Sequence, residues 1–155
     1  MVPPGLHDFM VACLGASASF IGLLFVGLSV VLQKTGDQKL ANTDRMLAES
    51  SYAALINIFF VSLIGILPKE SIGNVSLIMA LLGLLSCWRL RRISHPLQLI
   101  LSSIIYIIEA IFGANLSING HATMSISLFQ TIIIALFAIS LIRAWELTGI
   151  HQKGK

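Results

Sequence analysis

Charge is scarce in this sequence. Asp, Glu, Lys and Arg make up only 11% of its 155 residues, against 56% hydrophobic. Soluble domains carry about 25% charged residues. A chain with fewer than half that share cannot cover a water-facing surface, so the solvent around most of it is expected to be lipid. Cysteine is scarce too. Cys13 and Cys87 each lie inside an apolar run, which excludes a disulfide framework or a zinc site and reads as two small buried hydrophobes. The three aspartates, Asp8, Asp37 and Asp44, all lie outside the apolar runs, which excludes an intramembrane aspartyl protease. There is no His-Glu-x-x-His, no Gly-x-Ser-x-Gly and no phosphate-binding glycine loop. An enzyme is therefore not expected, and neither is a cofactor. The net charge of +3 comes without a basic run interleaved with aromatics, so no nucleic-acid partner is implied. His7, His95, His121 and His151 are scattered at the ends of the runs and suggest no metal site.

What the sequence does have is five apolar runs, at about 9–32, 46–67, 72–88, 97–118 and 124–145. A bilayer crossing takes about 20 residues as a helix. The runs are continuous rather than short and alternating, and lipid demands internally paired backbone groups, so they read as helices and not strands. The expected fold is all-α: a single transmembrane helical domain over 1–155, with residues 72–88 as the shortest span. Pro3-Pro4-Gly5 is expected to hold the start non-helical, with Asp8 as the first N-cap, and Asn42, Thr43 and Asp44 are cap candidates for the second span. Pro68-Lys69-Glu70, His95-Pro96 and Asn119-Gly120-His121 mark the turns. Ala16-Ser17-Ala18 resembles a cleavage site, but no Lys or Arg precedes it and apolar sequence continues after it. The first run is expected to remain as a membrane helix.

Five spans place the two ends of the chain on opposite sides. With the amino terminus outside, Lys34, Lys39, Arg45, Arg89, Arg91, Arg92, Arg143, Lys153 and Lys155 all stay in the cytoplasm. Only Lys69 is translocated, so the positive-inside rule favours N-out/C-in. Trp88 and Trp145 then both fall at the inner interface, where indoles favour the headgroup level.

Glu109 is the most informative residue. It lies twelve positions into the fourth run, about 18 Å deep at ~1.5 Å per residue, close to mid-bilayer. A charged carboxylate there costs at least about 2.5–3.5 kcal/mol, and no Lys, Arg or His lies at a similar depth. Glu109 must carry its proton, face water or hold a cation. Ser102, Tyr106, Glu109 and Gly113 share one stripe of the helix. Asn57, Ser17, Ser19, Gln130 and Thr131 reach similar depths on other spans and are candidates for a polar layer. Either an ion or proton path or plain interhelical hydrogen bonding accounts for this set.

Two further groups stand out. Arg45 with Glu49, and Arg143 with Glu146, have the spacing of helical charge pairs at the inner interface, where they either pair or form a cytoplasmic gate. Gly15, Ser19 and Gly22 make a stripe of small residues in the first run that permits close helix approach, within one bundle or between chains. Thr131, Ala135 and Ala138 form a weaker stripe.

Asp8-Phe9-Met10-Val11, Gly15-Ala16-Ser17-Ala18 and Gly22-Leu23-Leu24-Phe25-Val26-Gly27-Leu28-Ser29 together resemble a family of small, uncharacterised bacterial membrane proteins. The likeness continues through Ala48-Glu49, Val61-Ser62, Pro68 and Ala144-Trp145. It implies about five spans in a bacterial inner membrane and no known reaction. Val30-Val31 departs from the family pattern, which places an Asn there. The resemblance also implies weight for Glu49, which stands where the family has an acid.

The function expected from these readings is a homo-oligomeric membrane protein that forms or gates a path for cations or protons. Two alternatives stay open: a non-conducting accessory protein bound to another membrane protein, and a membrane-perturbing defence effector.

Overall fold

The computed structural model describes residues 4–35, 42–67, 72–91, 96–119 and 126–150. They form five α-helices in chain order: α1 (Pro4–Thr35), α2 (Asn42–Ile66), α3 (Ile72–Leu90), α4 (Pro96–Asn119) and α5 (Ile126–Ile150). All five are long and apolar enough to cross a membrane, and no strand occurs among the described residues. The chain is thus all-helical, with one helix for each apolar run.

The helix starts differ from the sequence expectation at prolines. Pro4 does not delay α1; it opens it. Its fixed φ suits the first helical turn, and the N–H it lacks has no partner there in any helix. Asp8 consequently lies inside α1 and is not its N-cap. Pro96 opens α4 in the same way. At the other extreme α5 runs past Trp145 to Ile150, because no proline or glycine interrupts it before Gly149. The 32 residues of α1 reach about 48 Å at ~1.5 Å per residue, so its ends pass beyond a hydrocarbon core of about 30 Å.

Consecutive helices run antiparallel. A Cβ on Gly65, near the end of α2, would meet Met10 near the start of α1, and one on Gly73 at the start of α3 would meet Ser117 near the end of α4. Helices α2, α3, α4 and α5 close a four-membered ring, and α1 leans on its outside against α2, touching α5 through an edge-to-face pair of Phe20 and Phe137. Of the ring's seams, the one between α4 and α5 is the sparsest.

Packing explains this arrangement. Leu55, Ile58 and Val61 of α2 fill the ring with Phe112 and Leu116 of α4 and with Phe129, Ile132, Ile133 and Leu136 of α5. Phe112 stacks on Phe129 at 5.3 Å. Helix α3 contributes almost no bulk; its buried face is Ile72, Gly73, Ser76, Ala80, Gly83, Cys87 and Leu90. Small residues let α3 lie against α4 with backbones in contact, where dispersion and not hydrophobic expulsion holds membrane helices together. Large apolar side chains point outward, among them Phe25, Ile111 and Ile118. In water such a surface would be an aggregation hazard, and in lipid it is the solvated face. Trp88 and Trp145 are 73% and 78% exposed, at the end of the bundle where α3 and α5 finish. That end is called the tryptophan end below.

Candidate functional site

Each ring helix brings polar atoms to the bundle interior. On α4 the buried stripe reads Ser102, Tyr106 and Glu109. Glu109 is 2% exposed and shielded within its own bundle. The Asn57 Nδ2 amide of α2 donates to Glu109 Oε2 at 2.9 Å, and the Ser76 hydroxyl of α3 donates to Oε1 at 3.5 Å. Each carboxyl oxygen thus accepts a hydrogen bond from a different helix. Net bonds of this kind in membrane bundles contribute about 0.6–2 kcal/mol each.

Toward the tryptophan end the polar interior continues. One helical turn from Glu109, Tyr106 is fully buried, its ring lying across Gly83 of α3. Any side chain at Gly83 would collide with that ring. Among the described residues, the Arg143 guanidinium, the Cys87 thiol and the Glu109 carboxyl lie near enough to act electrostatically on the Tyr106 hydroxyl. One turn further, Arg143 of α5 is 3% exposed and donates from Nη2 to the Ser102 hydroxyl at 2.7 Å. Ser102 in turn donates to the Gln98 carbonyl at 2.7 Å, so its hydroxyl is used in both directions. Ser140, one turn before Arg143, donates to the Ser51 carbonyl of α2 at 3.3 Å. A cavity of about 20 Å³ beside Arg143 is bounded by Gln98, Leu101, Ser102, Ile139 and Ile142.

Several buried polar atoms along this column carry no hydrogen-bond partner: Asn57 Oδ1, Tyr106 Oη, Ser51 Oγ and Ser62 Oγ. Buried polar atoms are nearly always paired, so a cluster of orphans in one interior marks groups with spare donor and acceptor capacity.

The sequence candidates divide cleanly. Asn57, Glu109, Tyr106 and Ser102 come together in the interior. Ser19 and Thr131 do not join them; both are exposed and bond back to the carbonyls of Gly15 and Ser127 on their own helices. Gln130 is half-buried on α5 near the end opposite the tryptophans. Ser17 is buried on α1 but donates to its own Leu14 carbonyl at 3.0 Å. Gly15 and Gly22 face outward, and a Cβ on either would meet nothing within 4 Å, so this stripe takes no part in packing within the chain. Glu49 is exposed. The side chains of Arg45 and Glu146 lie outside the described residues, and with them both proposed charge pairs. Arg143, read from sequence as an interfacial charge, has its side chain turned into the bundle. Ser76 and Gly83 were not singled out at all, although both belong to the small-residue face of α3. Among the described residues no three His, Cys, Asp or Glu side chains come together to hold a metal.

Fold and interior together define a multi-pass helical membrane protein with a hydrogen-bonded carboxyl group and a buried guanidinium inside one bundle. No family model matches the chain, and no curated protein or solved structure does so either. The resemblance to small five-span bacterial proteins rests on the residues quoted for it alone.

Proposed function

We propose that this protein moves protons across a membrane through the interior of its own bundle, with Glu109 as the group that takes up and releases them. The observation that carries this reading is the pairing of Glu109 with Asn57. The Asn57 amide nitrogen holds a carboxyl oxygen while its own Oδ1 is left without a partner. A carboxylate needs donors and a carboxylic acid needs one acceptor. An amide supplies both by turning about its last side-chain bond, and the Ser76 hydroxyl can do the same by rotating. The site therefore has partners for Glu109 in either protonation state, as a proton carrier requires.

The donor set favours protons over metal cations: among the described residues no three His, Cys, Asp or Glu side chains come together to hold a metal. A proton needs only neighbouring groups that donate and accept, and Tyr106, Ser102 and Ser140 continue that series toward the tryptophan end. The route lies within one chain, so an oligomer, if formed, is not needed to line it. The distribution of Lys and Arg supports a cytoplasmic tryptophan end and an extracytoplasmic amino terminus. The family resemblance supports a bacterial plasma membrane.

The test is proton flux into liposomes carrying a pH-sensitive dye, under an imposed potential. Wild-type protein should acidify the lumen faster than empty liposomes, and Glu109→Gln, which keeps the shape and one acceptor oxygen but cannot ionise, should return the rate to the empty-liposome level. Equal rates for the two proteins, or no flux above background, would remove the proposal.

A second reading has its own support. Gly15, Ser19 and Gly22 form an outward small-residue face on α1 that nothing among the described residues covers. It suits an accessory protein that docks on another membrane helix. A stoichiometric membrane partner co-purifying with wild type but lost with Gly15→Leu would favour it.

A further inference from the structure

Arg143 poses a problem that proton transfer does not solve. Its guanidinium is permanently charged, is 97% shielded, and has one hydroxyl of Ser102 as its described hydrogen-bond partner. Among the described residues no carboxylate lies within ion-pair distance of it. The side chain of Glu146, three residues on, lies outside the described residues, and a buried guanidinium is costly for a bundle unless anions or dipoles meet it.

Its surroundings indicate where a counter-charge comes from. The cavity beside Arg143 lies in the α4–α5 seam, the sparsest of the ring. Two of its bounding side chains, Leu101 and Ile142, are half exposed on the outer surface of the bundle, so the seam is open toward lipid rather than toward the core. Its depth is also defined. Arg143 precedes the exposed Trp145 by two residues, and Gln98 follows Pro96, the first residue of α4, by two. Both positions belong to the boundary between hydrocarbon and headgroups, where phosphates sit and where basic pockets between helices hold anionic lipids. The remaining wall is aliphatic, from Leu101, Ile139 and Ile142. A volume near 20 Å³ takes about one oxygen-sized group.

We propose that the α4–α5 groove at the tryptophan end is a binding site for one anionic phospholipid. One phosphate oxygen enters the cavity to meet Arg143, and an acyl chain lies along Leu101 and Ile142. The shape selects a lipid over free phosphate: only one oxygen fits inside, and the contacts outside are apolar. This site is separate from Glu109 and stands whether or not the protein carries protons.

Native mass spectrometry of the purified chain in neutral detergent tests this, with phosphatidylglycerol or phosphatidylcholine added at equal concentration. Wild type should retain one phosphatidylglycerol per chain with a preference of about fivefold or more over phosphatidylcholine, the order expected for one basic group at the headgroup level. Arg143→Gln should abolish the preference. Arg143→Gln also removes the bond to Ser102 inside the bundle, so Leu101→Trp is the second variant: it fills the mouth of the groove from a lipid-facing position and leaves Arg143 in place. It should lose the retained lipid while the thermal midpoint of the delipidated protein stays unchanged. Equal retention of the two lipids by wild type overturns the proposal, as does undiminished phosphatidylglycerol retention by a folded Leu101→Trp. Displacement of the lipid by ~10 mM inorganic phosphate, at which the screening length is still about 30 Å, would reassign the site to a soluble anion.

Discussion

A carboxyl group at the centre of a bilayer persists only if its neighbours compensate it, and Glu109 shows how little compensation suffices: one amide from α2 and one hydroxyl from α3. Their contribution is measurable. Asn57→Leu keeps the branching of the side chain but leaves Glu109 Oε2 without its 2.9 Å donor. The expected cost is about 1–2 kcal/mol. A domain of this size loses about 2–4 °C of thermal midpoint per kcal/mol. Glu109→Leu combined with Asn57→Leu should be milder than the sum of the two single variants, because two apolar groups replace a matched polar pair. Additive losses in a thermal-melt series would show that the pair does not couple. The residue scale is also where the sequence misleads most. Depth arithmetic alone brings Asn57 to the level of Glu109, and the structure joins them. The same arithmetic nominates Ser19 and Thr131, which satisfy their hydroxyls on their own backbones and need no interior. Arg143 was legible from a different signal. Phe129, Leu136 and Arg143 follow one another at seven-residue intervals, so the buried stripe of α5 runs straight into the arginine. Its charge alone points to the interface, and the periodicity adds that the side chain faces the interior.

Helices pair here according to where their small residues lie, and two glycines separate the cases. A Cβ on Gly113 would come within 2.8 Å of the Leu77 backbone nitrogen and 2.9 Å of the Gly73 carbonyl oxygen. Backbone cannot step aside as a side-chain tip can, so α3 and α4 must part. Gly113→Val is expected to cost about 1–3 kcal/mol or more. Gly22→Val meets nothing within 4 Å and should leave the thermal midpoint within about 0.5 kcal/mol of wild type. Thermal melts of the two variants check this, and the ordering reversed would place the close helix contact on α1 instead. Sequence makes the five helices plain because each apolar run is long and continuous. It does not make the partner of each face plain. The small residues of α1 and those of α3 look alike as patterns, yet Gly73, Ser76, Ala80 and Gly83 are buried against neighbours while Gly15 and Gly22 are not. What separates them is which helix lies alongside, a fact of the assembled bundle and not of either segment. The proline at the head of α1 teaches a related lesson: Pro-Pro-Gly reads as a break, yet at the first turn of a helix a proline forfeits nothing.

If all five helices cross, the two ends of the molecule face opposite compartments, and the proposed orientation then rests on the basic residues. In that arrangement nine of the ten fall on one side. Reversing the protein would move those nine across the membrane to keep one, Lys69, inside. The protein offers a clean way to measure this. Cys13 and Cys87 are both buried and unpaired, so a membrane-impermeant thiol reagent should label the native chain weakly. Single cysteines introduced at Gly120 and at Gly36 then report opposite sides. In intact spheroplasts Gly120→Cys should label at once, whereas Gly36→Cys and Lys153→Cys should label only after the membrane is permeabilised. Labelling in the reverse order would overturn the assignment of the tryptophan end to the cytoplasm and move the Arg143 groove to the outer leaflet. Labelling of Gly120→Cys and Gly36→Cys from the same side would mean that an odd number of crossings does not separate them, and the five-span topology itself would fail. Orientation matters for the proposed chemistry as well, because it decides which compartment faces the Ser102–Arg143 end of the column and which faces the end beyond Glu109, where Phe112 and Phe129 stack.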